Sequence, residues 1–169
     1  MKKDLAIIFG LFIVIAVIVV FGKGFSTANF FSQTASTQEA KPQNRKETLI
    51  RIKDLSVTAK IAANSKDRQK GLSKLESLPL DQGELFIFDK SDKYEIWMKD
   101  MNFAIDIIWI DQDKRIVDIA TNIPPEPGKK DQELQRYQPK QEAKYILEIN
   151  AGLASLHNLQ VGDQLSFEI

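Results

Sequence analysis

The sequence predicts a mainly β domain of the α+β class: a small antiparallel barrel or sandwich with two short helices, preceded by one transmembrane helix. Two observations support the β assignment. Apolar and polar residues alternate in several short segments, and polar turns separate these segments. A third observation, an uninterrupted apolar run near the N-terminus, predicts the membrane helix. The chain of 169 residues is long enough for one ordinary domain with additional segments.

Residues 1–25 are predicted to be a single-pass membrane anchor. The run from Leu5 to Gly22 contains no charged residue and approaches the ~20 residues that span a bilayer. It is longer than the hydrophobic region of an ordinary signal peptide, although cleavage, which would secrete the domain, is the alternative. Lys2 and Lys3 precede the run, which favours a cytoplasmic N-terminus and an extracytoplasmic folded domain. A short N-terminus of this kind is typical of a bacterial protein.

Residues 26–47 are predicted to be a flexible linker, because they are rich in Ser, Thr, Gln, Asn and Ala. The folded domain is then residues 48–169, an ordinary domain length. A net formal charge of zero predicts no nucleic-acid partner. The chain has no cysteine and a single histidine, His157, so thiolate sites, disulfides and histidine-based metal sites are not expected. We therefore expect no cofactor and no metal. An all-oxygen site for Ca²⁺ or Mg²⁺ at Asp106, Glu148 or Asp163 is the alternative, although their spacing matches no metal motif.

The strands of the folded part follow from alternation and from dense apolar runs. Residues 55–62 alternate, so the apolar side chains at odd-numbered positions should face the core. A polar turn at residues 111–114 should join two strands of a hairpin. Further strands are predicted at residues 84–88, 94–99, 105–110, 115–120, 145–149 and 164–169.

Alternation also assigns the two faces of three of these strands. Trp97 and Lys99 should face away from Met98. Asp106 should share a face with Ile108 and Ile110, opposite to Ile107 and Trp109, and Glu148 should share a face with Ile146 and Asn150.

Two short helices are predicted from capping residues. Ser65 is the expected N-cap of a helix over residues 66–72. Asn150 is the expected N-cap of a helix over residues 151–158, whose Leu153 and Leu156 would face the core.

The segment from Tyr94 to Asp111 contains the centre of a candidate site. It places both tryptophans, a lysine and three aspartates among apolar residues. Polar groups inside an apolar run are costly to bury unless they are paired or used. Asp106 and Glu148 are acids within apolar strands, and the expected cations are Lys99 and Arg68. The predicted cleft consists of Arg68, Trp97, Lys99, Asp100, Asp106, Glu148 and Asn150.

This cleft is compatible with several functions. Trp97 beside charged groups would offer a flat surface to a sugar ring or a cation, which favours binding of a small polar ligand such as a saccharide or an envelope fragment. Alternatively, Asp106 and Glu148 would be the acid and base of a hydrolase or lyase. A third hypothesis is an accessory domain that binds a protein through the proline-rich loop at residues 122–138. A structural salt-bridge network is the non-functional alternative, and whether the protein is an enzyme stays open.

Six short motifs, taken in chain order, resemble a known family. They are Arg68-x-x-Gly71-Leu72, Gly83-x-Leu85-Phe86-x-Phe88, Trp97-Met98-Lys99, Ile105-Asp106, Leu147-Glu148-x-Asn150-Ala151-Gly152 and Gly162-Asp163. This series resembles the bacterial and archaeal family called domain of unknown function 192, whose members are often exported or membrane-anchored. The resemblance implies a compact, mainly β fold and a joint role for Arg68, Trp97, Lys99, Asp106 and Glu148, but no reaction. Glu84 stands where the family usually has a methionine, a change expected to alter packing.

Overall fold

The structure, a computed structural model, describes residues 45–169. The predicted membrane anchor and the linker up to residue 44 lie outside the described residues. Glu47, which was predicted to belong to the linker, already begins the first strand, where it pairs with Lys60 of the second. Within residues 45–169 no helix is long and apolar enough to cross a membrane.

In residues 45–169, seven strands form one barrel-like sheet and two short helices accompany it, which confirms the mainly β domain with two short helices. The strands are β1 (Glu47–Ile52), β2 (Leu55–Ala62), β3 (Gln82–Asp92), β4 (Ile105–Ile110), β5 (Ile116–Ile123), β6 (Ala143–Asn150) and β7 (Leu165–Ser166). The helices are α1 (Ser65–Lys70) and α2 (Leu153–Leu156). The strand order is β5-β4-β6-β3-β2-β1-β7. The sheet is not wholly antiparallel as predicted, because β2 and β3 run parallel.

Backbone hydrogen bonds join the two ends of this sheet. The start of β5 meets the segment before β7, where Arg115 forms a bridge with Gln164. The Ile116 amide donates to the Asp163 carbonyl at 2.9 Å, and the Leu165 amide donates to the Lys114 carbonyl at 2.8 Å. The same β7 also pairs with β1, so the last strand links both ends of the sheet.

The two faces of the sheet carry separate apolar clusters. In β2 the odd-numbered side chains are buried, as the alternation predicted. All six residues of β4 are buried: Ile108 and Ile110 belong to one cluster, and Ile107 and Trp109 belong to the other. The faces of β4 are therefore those that its sequence predicted, and a strand buried on both sides explains its nearly continuous apolar composition.

Residues 94–99 do not form a strand of the main sheet, although one was predicted. Their only ladder contact within the described residues is an isolated bridge between Ile96 and Tyr137, with both amide-to-carbonyl distances at 2.9 Å. Their inward–outward alternation still holds, since Met98 is buried and Trp97 is exposed. This segment lies across one face of the sheet and forms part of the site described below.

Both helices are shorter than predicted. The N-cap of α1 is Asn64 rather than Ser65: its Oδ1 accepts a hydrogen bond from the Asp67 amide at 2.9 Å. The N-cap of α2 is Gly152, whose φ of +88° is a conformation that favours glycine. Leu153 is buried as predicted, but the prediction that Leu156 faces the core is wrong, because the helix ends there and the residue is 71% exposed.

Candidate functional site

A cavity of about 280 Å³ lies on the face of β3 and β6 that carries the second apolar cluster. Glu148 of β6 and Phe86 of β3 line it from the sheet. Helix α1 and the turn after it line a second side, and the segment of residues 95–101 lines a third. Most of the uncharged lining is apolar: Leu72, Phe86, Phe88, Ile96, Trp97 and Met101.

Glu148 is the acid of this cavity. Its side chain is only 6% exposed, and no hydrogen bond or ion pair joins it to another side chain within residues 45–169. Burial raises the pKa of the Glu148 carboxyl to about 8, and the negative charge of Glu84 adds to this increase. At neutral pH the carboxyl is therefore mostly protonated, so it can both donate and accept a hydrogen bond.

Glu84 of β3 lies directly across from Glu148 in the register of the two strands. It is fully buried, but Arg45 contacts both of its carboxylate oxygens, with an Nη2–Oε2 distance of 3.0 Å. Burial raises the pKa of the Glu84 carboxyl, and Arg45 opposes that increase. The two facing acids thus differ, because one has a guanidinium partner and the other has none among the described residues.

Arg68 of α1 lines the cavity. It was predicted to pair with Glu148 or Asp106, but it pairs with neither. Its Nη1 donates to the Ala63 carbonyl and, at 2.9 Å, to the Ile87 carbonyl. Its guanidinium lies 5.0 Å from the centroid of the Phe88 ring. These contacts fix α1 against β3, so Arg68 forms one wall of the cavity.

Trp97 lines both this cavity and a neighbouring one of about 500 Å³, as do Gln69, Lys70 and Ser73. The ring is 42% exposed. The Arg136 guanidinium lies 3.6 Å from the ring centroid, so the protein itself supplies a cation to one face of the indole. Only the rest of the ring is available for a ligand of the kind expected from the sequence.

Lys99 and Asp100 line the second cavity and not the first. Lys99 does not pair with Asp106 or Glu148: its Nζ contacts the Asp131 carboxylate, which raises the pKa of Lys99. Asp100 has a positive φ of 55° and lies 3.9 Å from the Lys74 ammonium. Since these ion pairs are exposed, they contribute little to stability.

Asp106 lies outside both cavities, which contradicts its predicted role in the cleft. It is fully buried on the face of β4 opposite to Glu148, because Ile107, not Asp106, pairs with Glu148 across β4 and β6. Its Oδ1 accepts hydrogen bonds from the Asn122 amide at 2.8 Å and the Gly152 amide at 3.1 Å, and its Oδ2 accepts one from the Ala154 amide at 2.8 Å. Asp106 therefore fixes the end of β5 and the start of α2.

Asn150 is also a structural residue. Instead of capping α2, its Nδ2 donates to the Leu78 carbonyl at 2.8 Å and to the Pro79 carbonyl at 3.1 Å, which holds the segment that leads into β3. Of the seven predicted site residues, three line the first cavity, and Trp97 also lines the second with two others; Asp106 and Asn150 line neither.

The hydrolase or lyase hypothesis is wrong in the form predicted. An acid–base pair must reach one substrate from one solvent-accessible pocket. Asp106 and Glu148 lie on opposite faces of the sheet, and of the two only Glu148 lines either of the cavities described for residues 45–169. No group of three or more His, Asp or Glu side chains that could hold a metal ion occurs in residues 45–169.

Three features of the site were not predicted from the sequence. Arg45 was predicted to belong to the linker, yet it is the partner of Glu84. Glu84 was noted only as a change in packing, although alternation with Phe86 and Phe88 placed it on the same face of β3. Arg136 carried no signal, because only the folded loop places it over Trp97.

The comparisons with known proteins agree with this architecture. The model of the DUF192 family, described as an uncharacterised ACR, matches residues 48–167, so the chain belongs to that family and the predicted resemblance is confirmed. No curated protein matches. The fold is similar to a crystal structure from Sinorhizobium meliloti 1021 with the provisional description of transcription regulator (25% identity, TM-score 0.64, 72% of this chain and 92% of that chain).

A second similar structure is a protein of unknown function from Novosphingobium aromaticivorans DSM 12444. It shares 24% identity with a TM-score of 0.61, over 71% of this chain and 83% of that chain. This likeness shows the fold alone. Family and neighbours thus define an uncharacterised class of barrel-like β domain, and the site itself must supply the argument for function.

Proposed function

We propose that the folded domain is a binding module for a small molecule that enters the cavity of Glu148. The observation that carries this proposal is an acid without a protein partner among the described residues, 6% exposed, in the wall of an apolar cavity of about 280 Å³. A buried polar group without a partner costs free energy, and a ligand that hydrogen-bonds to it recovers part of that cost. An apolar pocket with few polar groups is the usual form of a small-molecule site.

The lining refines the ligand that the sequence predicted. A saccharide or envelope fragment presents many hydroxyl groups, and an apolar wall leaves most of them without partners. We therefore favour a ligand with a flat or aliphatic body, which would contact Phe86, Ile96 and Trp97, and one polar group directed at Glu148. The binding experiment below also includes monosaccharides, so that the saccharide predicted from the sequence is tested directly.

We also propose that the domain is held at the outer face of a bacterial membrane by residues 1–25. The support is the uncharged run from Leu5 to Gly22 and the lysines that precede it. Protease treatment of spheroplasts tests this proposal: the domain should be digested from outside, and full protection would contradict it. The net charge of zero gives no support for extending the description of the Sinorhizobium protein to DNA binding here.

Thermal shift of the full chain, purified in a mild detergent, tests ligand binding. Benzyl alcohol and related neutral aromatic alcohols should raise the melting temperature more than monosaccharides do, because the lining is mostly apolar. Trp97→Ala removes a wall of the cavity and should abolish the shift.

Leu80→Ala is the matched control. Leu80 is also a large exposed apolar residue, at 68% exposure, but it lines neither cavity. The variant should respond to the alcohols as the wild type does. Equal responses of the Trp97→Ala and Leu80→Ala variants would contradict the proposed site.

A further inference from the structure

The aromatic lining and the state of Glu148 together narrow the ligand class, an inference that rests on the proposed function. The cavity is lined by three aromatic side chains, Phe86, Phe88 and Trp97, and by an acid that has no partner among the described residues. Aromatic faces attract cations, and a desolvated carboxylate is their strongest protein partner. This combination distinguishes the cavity from a purely apolar pocket.

The charged groups around Glu148 differ in the contacts that they already make with other residues. Glu84, from β3, has its charge balanced by Arg45. On the α1 side, Arg68 is held by two carbonyl oxygens and the Phe88 ring, and Lys70 is an exposed residue of the lining. Glu95, from the segment of residues 95–101, adds an exposed negative charge to the lining of the cavity.

We propose that the cavity binds a small organic amine as its ammonium ion, with the charge paired to Glu148 and the hydrocarbon body against Phe86, Phe88 and Trp97. A buried acid that lacks a cation is destabilised in its ionised form, and an ammonium ion supplies that cation. The pair would be enclosed by apolar groups, where its hydrogen bonds are stronger than in water.

Binding of an ammonium ion would release one proton. In the free protein the Glu148 carboxyl keeps its proton at neutral pH, because burial raises its pKa to about 8. In the complex the carboxylate faces the ammonium, so the proton passes to the solvent and the ligand keeps its own. The association constant should then rise with pH, by up to about tenfold per pH unit below the pKa of the free carboxyl.

Isothermal titration calorimetry of the full chain in detergent tests this inference with two probes of nearly equal shape. Benzylamine carries the charge, and benzyl alcohol does not. Between pH 6 and pH 8 we expect benzylamine to bind progressively tighter, by about tenfold or more overall, while benzyl alcohol binding stays nearly constant. Glu148→Gln should weaken benzylamine by at least about tenfold and remove its pH dependence.

Glu76→Gln is the control for changes in total charge and for partition into the detergent, because Glu76 is exposed and lines neither cavity. Benzylamine binding that is independent of pH, or equal in wild type and Glu148→Gln, would overturn the inference. If benzyl alcohol binds at the site and benzylamine does not, the amine inference fails while the proposed binding site stands. If neither probe binds, both fail.

Discussion

Asp106 and Glu148 are two buried acids on neighbouring strands, one register step apart, yet their surroundings are opposite. Asp106 has three backbone amides within 3.1 Å and lies in a closed part of the core. Glu148 lines a cavity and has no side-chain partner within residues 45–169. The first acid fixes the fold, and the second is available to a ligand. The residue type and the apolar flanks were alike, so only the opposite face of the sheet separates the two roles.

The largest effect should come from removing the acid that is fully satisfied. Asp106→Ala leaves one buried and two partly buried amides without this acceptor. Hydrogen bonds to a charged group contribute ~1.5–3 kcal/mol each, so we expect a loss of roughly 5 kcal/mol in the free energy of unfolding. Chemical denaturation measures it. Asp106→Asn keeps one oxygen acceptor and should lose less, which covers the case in which the alanine variant does not fold. A loss below about 1 kcal/mol in both would show that the amides have other acceptors.

Glu148→Gln should change stability in a pH-dependent way, and at high pH it should stabilise the fold relative to the wild type, whereas Asp106→Ala destabilises it. The pKa of Glu148 is raised from 4.5 to about 8, so between these values the folded state holds a proton that the unfolded state releases. Stability from this carboxyl is fully present below pH 4.5 and is lost as pH rises through about 8, a change of about 5 kcal/mol at ~1.36 kcal/mol per unit. Chemical denaturation at several pH values should show that the free energy of unfolding of the glutamine variant increases relative to that of the wild type as pH rises. A constant difference would place Glu148 in a polar environment.

Gly83→Ala tests whether close strand approach sets the position of Glu148. A Cβ at residue 83 would lie 2.7 Å from the Glu148 carbonyl oxygen, so the strands must separate. We expect chemical denaturation to show a loss of about 3 kcal/mol in the free energy of unfolding, which is the upper end of the usual cost of overpacking. At Gly128 nothing lies within 4 Å of an added Cβ, and the cost of its φ of +78° is about 1 kcal/mol. Equal losses for the two alanine variants would show that β3 and β6 accommodate the methyl group.

The smallest effect is expected at Lys99, which was predicted to pair with the buried acids but pairs with Asp131 instead. Asp131→Asn removes the partner of Lys99, and because both side chains are exposed, denaturation should detect no change in stability. The pKa of Lys99 should fall, since Asp131 holds it above the ordinary value. An NMR titration of the lysine side chain measures this. An unchanged lysine pKa would mean that the ion pair does not persist in solution.

Much of the fold could be predicted because its signals are local. The alternation of β2, the two faces of β4 and the polar turn after it depend on neighbouring residues, and the structure has them as expected. The extent of α2 was not predictable in this way. Its first amides are satisfied by Asp106, a residue almost fifty positions earlier in the chain, so the capping signal at Asn150 was misleading.

The site was predictable only in part, for a related reason. Alternation assigned Asp106 and Glu148 to a face within each strand, but it could not relate the two strands, because their register depends on pairing between distant segments. Trp97 and Glu148 were correctly placed near one another, since both line the first cavity. The cations were assigned by charge alone, and the folded chain engages Lys99 with Asp131 and Arg68 with carbonyl oxygens instead.

The last strand has a consequence for self-association. Because β7 pairs with β1 and the segment before it hydrogen-bonds to residues 114–116, one short piece of chain covers parts of two sheet edges. Exposed edges of this kind recruit strands from other molecules. Loss of the final ten residues would therefore uncover β1 and the start of β5 at once. The truncated chain should be prone to intermolecular strand pairing. We therefore expect the C-terminal residues to reduce aggregation in addition to completing the sheet.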